Sequence, residues 1–395
     1  MSDTALQFAA ALSVNADPRA AVREACNEVR ERLGGKIDLA MAFYSHRYGP
    51  AVAELPKLLD DTLHAGTTLS CNGESIVGGL REIEEGPALS VWAARLPGVS
   101  AVPMHLEFER TPEGPTIVGW PDALAGPWPS GAALVVLGEP FSFPADWLLE
   151  RLNTDRPGVP VIGGMASGAH GPGKNRVAIG KQSYTSGAAA VLLHGPLSVR
   201  TVVSQGCRPI GMPMVITKSE GQLIQGLGGR PPLEVIQELF AGLNTEERAL
   251  MQRGLHMGRV INEYQETFGP GDFLIRNCLG AERETGALAV GEFMRPGQTV
   301  QFHVRDAASA DRELRELLHT SAGGSAPLGG LLFTCNGRGS RLFETADHDA
   351  GLVQQQWPGL PLAGFFAQGE LGPVGGKNFM HGFTASLGLF GPPEA

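Results

Sequence analysis

The feature that most constrains the fold is a glycine- and proline-rich motif that occurs twice. Residues 158–172 read GVPVIGGMASGAHGP and residues 359–373 read GLPLAGFFAQGELGP, with seven of fifteen positions identical. Each copy follows an apolar segment of strand length and a segment of helical periodicity. A weaker copy of the strand and its loop lies at Gly66–Glu74. The pattern predicts a duplicated β-α-β unit that ends in a glycine-rich loop.

Strand-length apolar runs alternate with helical segments through both copies, which is typical of α/β proteins. We therefore predict an α/β (mixed α+β) fold of two pseudo-duplicated halves, whose mixed β-sheets are flanked by helices. The chain of 395 residues is long enough for two domains at roughly 100–200 residues each. The segment Asn-Thr-Glu-Glu at 244–247 predicts a helix start with a capping box.

Composition excludes several classes of protein. The net charge is −10 and no run of lysine or arginine occurs, which argues against binding to nucleic acid. No apolar run reaches the roughly 18–20 residues of a membrane span. Residues Met1–Ala10 lack the basic start and apolar core of a secretory signal. We therefore expect a cytoplasmic protein that binds neither nucleic acid nor membranes.

The cysteines and histidines give no metal signature. Five scattered cysteines without a Cys-x-x-Cys pair indicate reduced thiols rather than disulfides or a zinc site. The ten histidines include no His-x-x-x-His pair, so we predict no metal site.

Polar side chains follow two strands that one helix connects, at 331–334 and 360–366. The carboxyl ends of parallel strands are where ligands gather in α/β sheets. The predicted ligand-binding residues are Cys335, Asn336, Arg338, Gln368, Glu370 and Asn378. In this hypothesis Arg338 holds an anionic group, while Glu370 and Gln368 bind a donor such as an amine. The hypothesis also predicts that Arg338→Ala weakens binding and leaves thermal stability nearly unchanged.

Simpler interpretations of these residues stay open. Arg338 pairs with a local acid in one of them, and Cys335 is a small core residue in another. A different alternative makes Cys335 the nucleophile of an enzyme, although no catalytic set is evident in the sequence. The secondary candidates for the ligand site are Cys71, Glu74, Ser167 and His381.

The motifs together resemble a known family. The segments 269–280, FTCNGRG at 333–339, 361–374 and 379–387 are similar to the FIST C-terminal domain. Upstream, LSCNGESI at 69–76 and VIGGMASG at 161–168 resemble the FIST N-terminal domain. The resemblance implies a helical lead-in over residues 1–34, a FIST N-terminal domain over 35–225 and a FIST C-terminal domain over 226–395.

The resemblance implies an intracellular sensory protein. Such a protein would bind a small ligand, with an amino acid suggested, and would signal to a partner such as a kinase. The family supplies no established catalytic residues, so no enzyme assignment follows. Some members resemble haem-based nitric-oxide sensors, which require an axial histidine. We predict no cofactor, and haem with a ligand such as His381 stays an alternative.

Overall fold

The computed structural model describes residues 5–112, 114–269 and 271–393. It confirms an α/β protein with several mixed sheets and a two-part organisation. One compact unit is built from three segments of the chain and the other from two. The first unit comprises Met1–Val203, Leu314–Met380 and Thr384–Ala395, and the second comprises Ser204–Glu313 and His381–Phe383.

The first unit contains a motif of strands and helices that occurs three times along the chain. These occurrences are called repeats 1, 2 and 3. The elements of repeat 1 are β1 (Gln7–Ser13), α1 (Pro18–Leu33), β2 (Leu39–Ser45), a 3-10 helix (His46–Ala53), α2 (Leu55–Leu63), β3 (Thr67–Gly73), β4 (Ile76–Gly78), β5 (Arg81–Ile83) and β6 (Leu89–Arg95). The elements of repeat 2 are β7 (Ser100–Thr111), β8 (Gly114–Val118), a 3-10 helix (Asp122–Leu124), β9 (Ala133–Gly138), α3 (Ala145–Asp155), β10 (Val161–Met165), β11 (Val177–Ile179), β12 (Gln182–Tyr184) and β13 (Ala188–His194).

The chain of the second unit follows strand β14 (Ser198–Ser204), the first element of repeat 3. Six of its strands form a closed barrel in the order β15-β16-β19-β18-β17-β20. Its elements are β15 (Cys207–Glu220), β16 (Leu223–Leu227), α4 (Pro232–Gly242), α5 (Thr245–Arg253), β17 (Leu255–Val260), β18 (Phe273–Ala281), β19 (Leu288–Val290) and β20 (Thr299–Arg305). The predicted capping box is confirmed at the start of α5, where Asn244 and Glu247 cap each other's backbone N–H.

Repeat 3 resumes after the barrel and ends the chain. Its remaining elements are α6 (Ala307–Ser321), β21 (Gly329–Cys335), a 3-10 helix (Gly339–Arg341), α7 (His348–Gln356), β22 (Leu362–Ala367), β23 (Glu370–Val374), β24 (Lys377–His381) and β25 (Ala385–Gly391).

Each repeat builds one mixed sheet around a parallel pair of strands. The pairs are β2 with β3, β9 with β10, and β21 with β22. The three sheets have the orders β1-β6-β2-β3-β11-β12, β24-β23-β10-β9-β13-β7-β8 and β14-β25-β21-β22-β4-β5. Both copies of the motif found in the sequence, and its weaker copy at Gly66–Glu74, therefore end the second parallel strand of a repeat.

The repeats exchange short pairs of strands in a cycle. The β4-β5 pair follows β3 in the chain but joins the sheet of repeat 3 beside β22. The β11-β12 pair of repeat 2 joins the sheet of repeat 1, and the β23-β24 pair of repeat 3 joins the sheet of repeat 2. Each sheet is thus completed by residues of another repeat, so the three repeats form one interdependent structure.

The shared glycine of the motif has a steric cause. A Cβ atom on Gly163 would lie 1.9 Å from the carbonyl oxygen of Val136, and one on Gly364 would lie 1.7 Å from that of Leu332. Both carbonyls belong to the neighbouring parallel strand. No side chain fits at either position, which explains why the two copies share this residue.

One expectation about local structure is wrong. Residues Gln7–Ser13, expected to belong to a helical lead-in, form strand β1 along β6. Helix propensity is a weak preference, and pairing with a neighbouring strand overrides it. Among the described residues, no helix has the length and hydrophobicity of a membrane span.

Candidate functional site

The ends of β3, β10 and β22 meet one another through backbone hydrogen bonds. The N–H of Ser167 donates to the carbonyl of Asn72 at 3.3 Å, and the N–H of Gln368 donates to that of Met165 at 3.0 Å. These bonds join repeat 2 to repeat 1 and repeat 3 to repeat 2. The three glycine-rich loops therefore converge at one place in the first unit.

The hydroxyl group of Ser167 connects the remaining two repeats, 1 and 3. The Oγ atom accepts the N–H of Glu74 at 2.9 Å and donates to the carbonyl of Phe366. The hydroxyl thus bridges repeats 1 and 3, which are also joined by a direct backbone hydrogen bond from the N–H of Phe366 to the carbonyl of Ser75 at 2.9 Å. Ser167 is almost fully buried, and its contacts join repeats 1 and 3.

Cys335 and Asn336 lie beside this convergence, at the end of β21. The N–H of Asn336 donates to the carbonyl of Ala367 at 3.0 Å, and the N–H of Gly337 donates to Sγ of Cys335 at 3.4 Å. Arg341 donates to the carbonyl of Asn336 at 2.7 Å and pairs with the carboxylate of Glu74. Cys335 is partly exposed, and Arg341 interacts electrostatically with it.

Glu370 is the most unusual group of the site, because its carboxyl is fully buried. Oε2 accepts hydrogen bonds from the backbone N–H of Thr384 at 3.1 Å and from its hydroxyl at 2.7 Å. Oε1 has no hydrogen-bond partner. Burial raises the pKa of Glu370 to about 8, although Thr384, the charge of Arg338 and a hydrogen bond with Cys335 lower it. The carboxyl is therefore protonated at neutral pH.

Arg338 is committed to a partner inside the protein. Its guanidinium donates to both oxygens of Asp349, from Nε at 2.6 Å and from Nη2 at 2.8 Å, and both side chains are buried. Thr334 also donates to Asp349 at 2.6 Å, and His348 contacts it at 2.9 Å. Although burial opposes it, the charge of Arg338 holds the pKa of Asp349 well below its usual range. Arg338 therefore makes the contact that one of the simpler interpretations of the sequence gave, an ion pair with a local acid.

Two predicted residues, Gln368 and Asn336, border the site with side chains that are at least partly exposed. Gln368 is exposed at the end of β22. Asn336 is partly exposed, but its Oδ1 atom is buried and has no hydrogen-bond partner. The structure thus brings together Glu74, Ser167 and four of the six principal candidates, with Arg338 beneath them.

Three other candidates lie elsewhere. Asn378 is at the opposite end of β10, where its side chain accepts the N–H of Val161 at 2.8 Å and donates to Asn153 and Val159. Cys71 is in the core of the first unit, and burial raises its pKa. His381 is buried and belongs to the second unit.

Three residues of the site escaped the sequence analysis. Thr384 and Asp349 bind the buried charged groups, and Arg341 is the guanidinium that reaches the surface. Asp349 had a weak signal as part of a His-Asp pair in a helix. Nothing local to Thr384, fourteen residues after Glu370, indicates that it contacts that carboxyl.

The described part of the chain holds no cluster of three or more His, Cys, Asp or Glu side chains that suits a metal ion. None of the five cysteines, all of which the structure describes, forms a disulfide. Three clefts of about 300–620 Å³ that the described residues of the first unit form are not lined by His381. The groups that could contact a ligand at the strand ends are therefore carboxyl, amide, thiol and guanidinium groups.

Three cyclically joined β-α-β repeats with converging polar loops define an α/β protein with a strand-end site. The chain belongs to the FIST family: the FIST N domain matches residues 38–230 and the FIST C domain matches residues 232–373. Domains of this family are associated with small-ligand sensing and signalling.

Relatives in mycobacteria match along the whole chain. An uncharacterized protein of Mycobacterium tuberculosis is 43% identical over 389 residues, which cover 98% of this chain and all of the relative. An uncharacterized protein of Mycobacterium bovis is 42% identical over 379 residues, which cover 95% of this chain and 96% of the relative.

Proposed function

We propose that this protein is a cytoplasmic sensor that binds a small ligand with an N–H donor, such as an amino acid, at the strand-end site. The observation that carries the proposal is the fully buried carboxyl of Glu370, whose Oε1 atom has no hydrogen-bond partner. Once the carboxyl is ionised, Oε1 is an unsatisfied buried acceptor, which costs about 1–3 kcal/mol and which a ligand N–H would recover. The buried Oδ1 of Asn336 is a second acceptor of this kind.

The charges around Glu370 suit a zwitterion. Arg341 is a guanidinium with a side chain 56% exposed, and its surface ion pair with Glu74 is weakly held. A ligand carboxylate would compete for Arg341, while the ligand amino group would take Glu370. Because Cys335 contacts Glu370 and is partly exposed, its side chain would have to move aside.

Binding of an ammonium group would release a proton. Glu370 is neutral at pH 7, since burial raises its pKa to about 8, and an ammonium requires the carboxylate form. Titration calorimetry in phosphate and in Tris, which take up protons with different enthalpies, would then give different apparent binding enthalpies. Deprotonation of Glu370 would be the event that signals occupancy to the rest of the repeat.

The first experiment is a thermal-shift screen of the amino acids, followed by calorimetry of those that bind. We expect Glu370→Gln to weaken binding at least tenfold, because the amide side chain cannot ionise and so has no negative charge to pair with the ammonium group of the ligand. Glu220→Gln, an exposed carboxylate in β15, is the matched control and should bind as the wild type does. Equal affinities of the wild type and Glu370→Gln would refute the site.

An enzyme with Cys335 as nucleophile is the second candidate. The N–H of Gly337 on Sγ and the nearby charge of Arg341 favour a thiolate. This function predicts that Cys335 reacts with a thiol reagent faster than the other four cysteines at neutral pH. Equal rates would exclude it.

Two further proposals concern haem as a cofactor and a protein that receives the signal. A Soret band in the absorption spectrum of the purified protein would favour the haem-based nitric-oxide sensor over the amino-acid sensor. We also propose that the ligand state passes to a signalling protein such as a kinase, which predicts that copurification of that protein depends on the ligand.

A further inference from the structure

Repeat 2 differs from the other two repeats at one place. In repeat 1 the long helix α1 follows the first strand directly, and in repeat 3 the long helix α6 follows it after the barrel segment; each packs on one face of its sheet. In repeat 2 the described residues of the corresponding segment, 112 and 114–131, form β8 and the short 3-10 helix at Asp122–Leu124 and no long helix. A cleft lies between this segment and α3.

Three tryptophans line this cleft, which we call the tryptophan cleft. Trp120, Trp128 and Trp147 are all half-buried, although the chain has only five tryptophans. The rings of Trp120 and Trp128 lie 5.8 Å apart at an angle of 47°. The cleft has a volume of about 300 Å³, at the lower end of the range for small-molecule sites, ~300–1,000 Å³. A flat aromatic ligand can stack against tryptophan rings of this kind.

The charged groups of the cleft carry a net positive charge, in a chain whose net charge is −10. Arg151 and Asp155 form an exposed ion pair at 2.9 Å and offset each other. Arg156 lies over Trp128, with its central carbon 5.4 Å from the ring. It donates to the carbonyls of Gly126 and Asp155, which uses two of the five N–H groups of a guanidinium. Arg156 can therefore bind an anion beside the tryptophan walls.

We propose that the tryptophan cleft binds an aromatic carboxylate. Its rings would lie against Trp120, Trp128 and Trp147, and its carboxylate would accept hydrogen bonds from Arg156. The charge favours an anion over an aromatic amine, and the volume restricts the ligand to one or two fused rings. This second site is independent of the strand-end site, and it requires no bond to be made or broken.

The probe for this site is 2-naphthoate, with naphthalene-2-methanol as the uncharged analogue and cyclohexanecarboxylate as the saturated one. Titration calorimetry and tryptophan fluorescence on the whole protein measure binding. We expect 2-naphthoate to bind and to change the fluorescence, and each analogue to bind at least tenfold more weakly. No binding of 2-naphthoate at millimolar concentration would overturn the proposal, as would equal binding of the three compounds.

Two variants test the residues. Trp128→Leu removes a wall, and Arg156→Gln removes the anion donor; each should weaken 2-naphthoate binding at least tenfold. Trp357→Phe, outside the cleft, should leave it unchanged. If Trp128→Leu unfolds the protein, Arg156→Gln decides alone, because Arg156 follows the last residue of α3 and its side chain is only partly buried. Wild-type affinity in Arg156→Gln would contradict the proposal.

Discussion

At the scale of single residues, the buried pair of Arg338 and Asp349 leads to a different prediction from the one that the sequence alone suggested. Arg338→Ala would leave the Asp349 carboxylate buried without a cation, so we expect the free energy of unfolding to fall by about 3–5 kcal/mol. Urea denaturation measures this change. Arg341→Ala, which breaks the surface pair with Glu74, should cost only about 0–1 kcal/mol. A loss in Arg338→Ala as small as in the control would contradict this role.

The buried carboxyl of Glu370 predicts a pH dependence of stability. Its pKa is about 8 in the folded protein and near the usual 4.5 of a glutamate side chain in the unfolded chain. Between these values the folded state holds a proton that the unfolded state has lost, so stability falls as pH rises from about 5 to 8. Glu370→Gln cannot titrate, which should remove a slope of up to about 1.4 kcal/mol per pH unit. Urea midpoints of both proteins across this range measure it, and parallel curves would show that Glu370 does not titrate there.

At the scale of elements, the close approach of paired strands limits which side chains fit. Gly364→Ala would place a Cβ atom 1.7 Å from the carbonyl oxygen of Leu332, so β22 would have to shift away from β21. We expect a loss of about 1–3 kcal/mol in the free energy of unfolding.

The matched control is Gly351→Ala in the interior of α7, where no atom lies within 4 Å of the new Cβ. Alanine should stabilise this helix by about 0.5–1 kcal/mol. Thermal denaturation distinguishes the two variants, and a similar effect of both substitutions would be inconsistent with the steric explanation.

At the scale of the whole molecule, the cyclic exchange of strand pairs couples the three repeats. Because β4 of repeat 1 pairs with β22, and β23 of repeat 3 pairs with β10, loosening repeat 3 removes a strand partner both from repeat 1 and from the sheet of repeat 2. We expect Gly364→Ala to speed hydrogen exchange in the strands of all three sheets together. Mass spectrometry of peptides from β3, β10 and β22 measures this. Faster exchange confined to β21 and β22 would show that the repeats open separately.

The sequence by itself determined the repeated unit. Apolar periodicity and the Pro-x-x-Gly spacing report burial and close approach within a few residues, so they predicted the α/β class, both long copies of the motif and the capping box at Asn244. They also indicated that Cys335, Asn336, Gln368 and Glu370 lie near one another, because parallel strands connected by a helix end at the same edge.

Only the tertiary structure decided which groups pair with which. The exchange of strand pairs joins segments such as Ile76 and Phe365, almost three hundred residues apart, and no local pattern records such a choice. The same holds for the Ser167 hydroxyl between two repeats and for Thr384 on Glu370. Periodicity shows that a side chain is buried, but the partner that satisfies a buried polar group is set by the packing of distant segments. Even Asp349, only eleven residues beyond Arg338, lies in a separate element, α7, and only the folded arrangement shows that the two side chains pair.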